Sequence, residues 1–118
     1  MKVLIVDNDE QITTMLSRFF DAKGIQHIVS NDPRDGLERI KNEEYDVVLL
    51  DIAMPQFSGL DIIDTLSTDE ILQNKNIFIF SAILNSPKEI NEMIRKGDIK
   101  GYLKKPMELN DLLTAITC

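Results

Sequence analysis

The chain has 118 residues, of which 43% are hydrophobic, and a formal net charge of −7. This length suits one domain and is too short for two ordinary ones, and the composition is that of a globular protein. The single cysteine, Cys118, excludes an internal disulfide and a cysteine-based zinc site. No apolar run approaches the roughly 20 residues that span a bilayer. The N-terminus enters a strand pattern without a signal peptide, so we expect a cytoplasmic protein.

The acidic balance argues against binding to nucleic acid or anionic membranes, because both need a positively charged surface. The charge is uneven, however. Between Lys88 and Lys105 there are six basic and three acidic residues, so this segment carries +3 and the remainder −10. Such a basic segment is either a solvated helix face or a docking surface for an acidic partner.

The first part of the chain alternates strand and helix patterns. An apolar run, Val3–Val6, predicts a strand, and apolar residues at helical spacing after it predict a helix with Asp9 as its N-cap and Gly24 at its end. A more polar alternating stretch around His27 predicts an edge strand. His27 has no neighbours at metal-ligand spacing, so we interpret it as a solvated edge residue.

The central strand is predicted at Val47–Leu50, after a short helix capped by Asp32. Four branched apolar residues in a row are typical of a strand that is buried on both faces of a parallel sheet. This run stops at Asp51. Pro55 would end any strand pairing, and Gly59 would give the loop a flexible exit before the next helix.

The second half repeats the alternation. Ile77–Phe80 predicts a fourth strand that ends at Ser81, and a helix is predicted to open at Ser86 and Pro87 after it. An alternating stretch around Tyr102 predicts a second edge strand, and a last helix follows near the C-terminus.

Five strand–helix units in alternation predict an α/β domain with a parallel sheet and helices on both faces. Polar residues follow four of the strands, and the carboxyl ends of parallel strands share one edge of a sheet, where ligands bind. We therefore expect one crevice to hold the following side chains: Asp7, Asn8, Asp51, Ser81 and Lys105.

These residues resemble the motifs of response-regulator receiver domains of two-component signalling, close to the single-domain chemotaxis type. The resemblance covers essentially the whole chain, so we expect residues 1–118 to form one receiver domain. It implies a flavodoxin-like, doubly wound, five-stranded sheet of order 2-1-3-4-5 with five helices. The matching segments are Leu4 to Asp7, Asp51 to Pro55 with Gly59, Phe80 to Ala82, and Gly101 to Pro106.

A carboxylate at the end of the central strand can attack the phosphorus of a phosphohistidine or a small acyl phosphate, provided that the negative charge of the two reacting groups is neutralised. Asp51 is the predicted acceptor. Mg²⁺ prefers oxygen ligands, and the candidate ligands are Asp7, Asn8 and Asp51. The resemblance adds the backbone carbonyl of Ala53 to this set.

Lys105 would supply a positive charge for a phosphoryl oxygen, and Ser81 would donate its hydroxyl to another. Lys104 is the neighbouring candidate, but the family lysine directly precedes proline. The resemblance also implies a cis peptide between Lys105 and Pro106. When Ser81 moves towards the phosphoryl group, the ring of Tyr102 would turn inwards and change the surface of the fourth helix, the fifth strand and the last helix.

Three features depart from the family pattern. Asn8 replaces the second of two adjacent acids, which predicts weaker Mg²⁺ binding. The segment from Gly97 to Tyr102 is one residue longer than usual. Ala53 and Ile83 lie two residues after the acceptor and the hydroxyl, and neither can orient a water molecule, so we predict a long-lived phosphoryl group.

The expected function is a phosphoacceptor signalling domain, not an enzyme, although it would catalyse its own phosphorylation and slow dephosphorylation. Its expected partners are a sensor histidine kinase or histidine phosphotransfer protein and a downstream target. The main alternative is a phosphorylation-independent pseudo-receiver, which Asn8 supports. A Mg²⁺-dependent phosphohydrolase of the haloacid dehalogenase type needs an acid at Ala53 and fits less well, and a flavodoxin fits least.

Overall fold

The computed structural model describes residues 1–54, 56–68, 75–82 and 87–117. The predictions made for Pro55, Ile83, Ser86 and Cys118 lie outside these residues. Within the described part of the chain, no helix is long and apolar enough to cross a membrane.

Strands and helices alternate along the described part of the chain. The elements among these residues are β1 (Lys2–Val6), α1 (Glu10–Ala22), β2 (Gln26–Ser30), α2 (Pro33–Asn42), β3 (Val47–Leu50), α3 (Gly59–Thr68), β4 (Ile77–Ser81), α4 (Pro87–Lys96), β5 (Gly101–Lys104) and α5 (Leu109–Thr117).

All neighbouring strands of the sheet pair in parallel, in the order β2-β1-β3-β4-β5. The predicted fold class, strand order and edge strands are therefore confirmed. Val6 pairs with Leu50, Leu50 with Ile79, and Ser81 with Lys104. This register brings the carboxyl ends of the strands to the same edge of the sheet, where the polar residues follow.

The hydrophobic core has two layers, one on each face of the sheet. Leu4, Val48 and Ile79 contribute to the layer that includes residues of α2, α3 and α4. Ile5 and Leu49 contribute to the layer that includes residues of α1 and α5. Every residue of β3 is buried, because helices cover both faces of this central strand.

Local sequence signals place the helix ends. Asp9 caps α1, since its carboxylate accepts hydrogen bonds from the backbone N–H groups of Gln11 and Ile12. Gly24 follows the end of α1 with a φ of 71°, a conformation that glycine adopts at little cost. Asp32 caps α2 in the same manner as Asp9 caps α1.

The prediction that His27 is solvated is wrong. Its side chain is only 15% exposed, and its ring lies 5.9 Å from the ring of Phe20. Edge strands of a parallel sheet are still covered by helices on their faces, and α1 covers this one. His27 is therefore a packing residue of the β2 edge.

Candidate functional site

A lysine and two carboxylates meet at the carboxyl edge of the sheet. Asp7 follows β1, Asp51 follows β3, and Lys105 follows β5. The Lys105 Nζ atom lies 2.6 Å from Oδ2 of Asp7 and 3.9 Å from Oδ2 of Asp51. The two carboxylate side chains are only 3% and 6% exposed, so one ammonium group faces two buried acids.

Asp7 is held by hydrogen bonds to both its backbone and its side chain. Its N–H donates to the carbonyl of Ser30, and its Oδ1 accepts from the N–H of Asp9 at 3.0 Å. Burial raises the pKa of the Asp7 carboxyl, the Asp51 charge adds to the rise, and the Lys105 hydrogen bond opposes it. Ionised Asp7 therefore needs a nearby positive charge.

Asp51 is fixed by β1 and by its own loop. Its N–H donates to the carbonyl of Val6 at 3.0 Å, and its Oδ1 accepts from the N–H of Ala53 at 3.2 Å. Lys105 is closer to Asp7 than to Asp51. The Asp51 carboxylate is therefore held by the N–H of Ala53, while Lys105 neutralises Asp7.

Gly59 does not act as the flexible exit that we predicted. It is the first residue of α3, and a Cβ atom there would lie 2.4 Å from the Asp51 carbonyl oxygen and 2.9 Å from Cα of Ile52. Real contacts of a Cβ atom are never this short. Glycine is required because the start of α3 packs directly on the backbone of Asp51.

Gly59→Ala is expected to lower the free energy of unfolding by about 2 kcal/mol, because overpacking costs that much when backbone must shift. At an ordinary helix position the same change would stabilise by about 1 kcal/mol. Urea unfolding of the variant measures the difference. Gly36→Ala is the matched comparison, since its Cβ would meet the side chain of Val6 rather than backbone. Stabilisation by Gly59→Ala would contradict the packing described.

Ser81 and Tyr102 are linked through the end of β4. Ser81 is fully buried, and its carbonyl accepts hydrogen bonds from the N–H of Lys105 at 3.1 Å and from the Tyr102 hydroxyl at 2.9 Å. The ring of Tyr102 is partly buried against the core. Burial, with the charge of Asp51, raises the pKa of the Tyr102 hydroxyl, which therefore remains a donor.

Lys105, and not Lys104, is directed to the site. Lys104 is exposed, whereas the Lys105 side chain is 14% exposed and its ammonium lies 5.3 Å from the centre of the Phe80 ring. The Lys105–Pro106 peptide bond is cis. The choice between the two lysines could be made in the sequence only from the resemblance.

The remaining candidate ligands, Asn8 and Ala53, are exposed beside the buried acids. Among the residues that the structure describes, no group of three or more histidine, cysteine, aspartate and glutamate side chains could hold a metal ion. Two carboxylates, an amide and a backbone carbonyl nevertheless form a set of hard oxygen donors. Mg²⁺ usually binds proteins through only one or two carboxylates, so this donor set fits Mg²⁺.

Two site neighbours were not found from the sequence. Asn31 follows β2 and donates from its amide to the Asp7 carbonyl and to the hydroxyl of Thr13, both at 2.9 Å. Thr13 lies in α1 and is buried. The position of Asn31 at the end of a strand is the one signal that could have indicated its role.

The fold and the site define a class of doubly wound α/β domain with an acid–lysine cluster at the carboxyl edge of its sheet. Residues 3–117 match the family model described as the response regulator receiver domain. The chain belongs to this family, which is the receiver domain of two-component signalling; magnesium and phosphoaspartate are characteristic of its members.

Known relatives differ widely in total length. The chain is 31% identical over 94% of its length to the transcriptional activator protein PfeR of Pseudomonas aeruginosa, but it spans 35% of that protein. It is 30% identical over 95% of its length to the hybrid signal transduction histidine kinase G of Dictyostelium discoideum, of which it spans 3%. It is 26% identical over 97% of its length to the response regulator DivK of Brucella ovis and spans 91% of it.

A solved structure supports the same assignment. The receiver domain of the Francisella response regulator 1452 is 29% identical to the chain and superimposes with a TM-score of 0.83, over 98% of this chain and 93% of that one. The likeness extends over the whole sheet and therefore includes the strand ends that carry the site.

Proposed function

We propose that the domain is a phosphorylation-dependent switch in which Asp51 accepts a phosphoryl group from a phosphohistidine or a small acyl phosphate. The observation that carries this proposal is the Lys105 ammonium group, which contacts Asp7 at 2.6 Å and lies 3.9 Å from Asp51. A buried acid beside a second acid and a lysine ammonium group suits a reaction in which negative charge accumulates.

In the proposed step, an oxygen of the Asp51 carboxylate attacks the phosphorus atom. The new O–P bond replaces the P–N bond of the phosphohistidine, and the leaving imidazole keeps the electron pair and takes a proton. Mg²⁺ bound by Asp7, Asn8, Asp51 and the Ala53 carbonyl would neutralise charge on the phosphoryl oxygens. The hydrogen bond from the N–H of Ala53 to Oδ1 of Asp51 would hold the carboxylate in place for this attack.

Lys105 has two acceptors in this scheme. It neutralises Asp7 in the structure, and it would pair with a phosphoryl oxygen once Asp7 binds a metal ion. Ser81 would donate its hydroxyl to another phosphoryl oxygen. Because the Ser81 carbonyl accepts from Tyr102, movement of Ser81 would be transmitted to the ring of Tyr102.

The proposed output surface consists of α4, β5 and α5. Lys88, Arg95 and Lys96 are exposed on α4, and Ile94 of the same helix is 38% exposed. A downstream protein with acidic and apolar groups would complement this surface. The phosphoryl donor in the proposal is a sensor histidine kinase or a histidine phosphotransfer protein.

The proposal is tested by intact-mass measurement of the native protein after incubation with acetyl phosphate. The expected result is one added phosphoryl group in the presence of Mg²⁺ and none with excess EDTA. Treatment with hydroxylamine should remove the group, because it cleaves acyl phosphates. No added mass in saturating Mg²⁺ would overturn the proposal and favour the pseudo-receiver, whose supporting observation is Asn8 in the place of an acid.

Asn8→Asp is expected to tighten Mg²⁺ binding, because it adds a negative charge to a set that otherwise holds two carboxylates. The expected gain is about tenfold, or about 1.4 kcal/mol, which lies between the interaction energies of two unit charges about 4 Å apart in water and near a protein surface. Calorimetric titration with MgCl₂ measures it. Asn42→Asp at the end of α2 is the control, and an equal affinity in all three proteins would exclude Asn8 from the metal site.

The phosphoryl group on Asp51 is also proposed to be long-lived. Ala53 is exposed beside the acceptor and carries no polar atom that could orient an attacking water molecule. The decay of the phosphorylated mass after removal of acetyl phosphate measures its lifetime. Loss of the group within seconds would contradict this part of the proposal.

A further inference from the structure

We infer that Asn31 is a positioning residue that fixes the backbone of the Asp7–Asn8 segment for binding of Mg²⁺. The inference rests on the proposed function, and it assigns a role to a residue outside the expected ligand set. Its basis is the pair of hydrogen bonds that the Asn31 amide donates, one to the Asp7 carbonyl and one to the Thr13 hydroxyl.

The Asn31 amide connects the end of β1 with the first turns of α1. The Thr13 hydroxyl accepts from Asn31 at 2.9 Å and donates to the carbonyl of Glu10 at 3.2 Å. Thr13 itself is 3% exposed, so this link lies against the core. Both N–H groups of the amide thus have an acceptor, and the segment between strand and helix is held at each end.

The bond to the Asp7 carbonyl has a particular consequence for Asn8. This carbonyl belongs to the peptide group that joins Asp7 to Asn8, and the N–H of Asp7 is already bonded to Ser30. With both sides of Asp7 fixed, the direction of the peptide plane is determined. The plane in turn determines where the exposed Asn8 side chain begins.

A fixed peptide plane before Asn8 matters more for this chain than for a receiver domain with two adjacent acids after the first strand. A carboxylate at position 8 would be drawn to a cation by its charge, whereas the Asn8 amide offers only a dipole. A weakly attracted ligand contributes to affinity only when its placement costs little conformational entropy. An uncharged donor such as the Asn31 amide also adds no positive charge beside the cation.

The test is titration of isotope-labelled protein with MgCl₂, followed at the backbone amide resonances of Asn8 and Asp9. Asn31→Ala is expected to weaken Mg²⁺ binding about tenfold, the lower end of what outer-sphere partners of metal ligands contribute. Thr13→Val, which keeps the side-chain volume but removes the hydroxyl that accepts from Asn31, should also weaken Mg²⁺ binding. Asn42→Ala is the control, since Asn42 bonds only to the exposed Glu38 among its described contacts.

Hydrogen exchange without Mg²⁺ separates positioning from a general loss of stability. The Asp9 amide, which donates to the Asp7 carboxylate, should exchange faster in Asn31→Ala, while the amide of Ile62 in α3, which donates to the Ser58 carbonyl, should be unchanged. At saturating Mg²⁺ the extent of phosphorylation by acetyl phosphate should match that of the native protein.

A native Mg²⁺ midpoint in Asn31→Ala, or faster exchange at Asp9 and Ile62 alike, would overturn the inference and leave the proposed function intact. Failure of the native protein itself to bind Mg²⁺ would contradict both.

Discussion

Asp51→Asn is expected to abolish incorporation of the phosphoryl group while the fold persists. An amide oxygen is not a nucleophile towards phosphorus, and no other described acid has the same placement. Asp7 is bonded to Lys105 and to the N–H of Asp9, so its carboxylate is already engaged. Intact-mass measurement with acetyl phosphate and Mg²⁺ detects the loss.

The same substitution should leave stability equal or improved at neutral pH. Asp51 raises the pKa of Asp7 through repulsion, and removal of this charge relieves a buried pair of like charges. Asp64→Asn, on the exposed side of α3, is the matched control and should accept the phosphoryl group as the native protein does. A phosphorylated Asp51→Asn protein would place the acceptor elsewhere.

Lys105→Met is expected to cost about 3 kcal/mol of unfolding free energy without Mg²⁺, because removal of one partner leaves buried charge uncompensated. The pKa of Asp7 is already raised by burial, so the folded protein binds a proton at Asp7 more readily than the unfolded chain. Stability therefore falls as the pH rises through this raised pKa. The loss should be greater at pH 8 than at pH 5.

Mg²⁺ should restore much of this stability, because the variant lacks the ammonium group that competes for Asp7. Urea unfolding with and without MgCl₂ measures both effects. Lys104→Met, which removes an exposed charge from the adjacent residue, should change stability by no more than about 0.5 kcal/mol. A loss of stability by Lys105→Met as small as that of the control would show that the 2.6 Å contact contributes little.

The sheet was predictable because its signals are local and repeated. Continuous apolar runs such as Val47–Leu50 occur where a strand is covered on both faces, and each ends at a polar residue that the parallel register brings to one edge. The helix caps Asp9 and Asp32 were likewise predictable, since a capping side chain accepts hydrogen bonds from the first turn of the helix that follows it.

Contacts across the fold were not predictable in this way. The role of Gly59 depends on how closely α3 approaches the backbone of Asp51, and the role of Asn31 depends on an amide 24 residues away from Asp7. The pairing of Lys105 with Asp7 depends on the relative burial and geometry of two acids. The prediction that His27 is solvated was wrong because the polarity of an edge strand does not indicate whether a helix covers its face.

The central claim is that Asp51 carries the phosphoryl group. Reduction with borohydride converts a phosphorylated aspartate to homoserine, and peptide mass spectrometry then locates the modified residue. For the native protein treated with acetyl phosphate and Mg²⁺, we predict homoserine at position 51 and at no other acid. Modification at Asp7 or Asp9 in place of Asp51, or none in a protein that has gained the phosphoryl mass, would contradict the account.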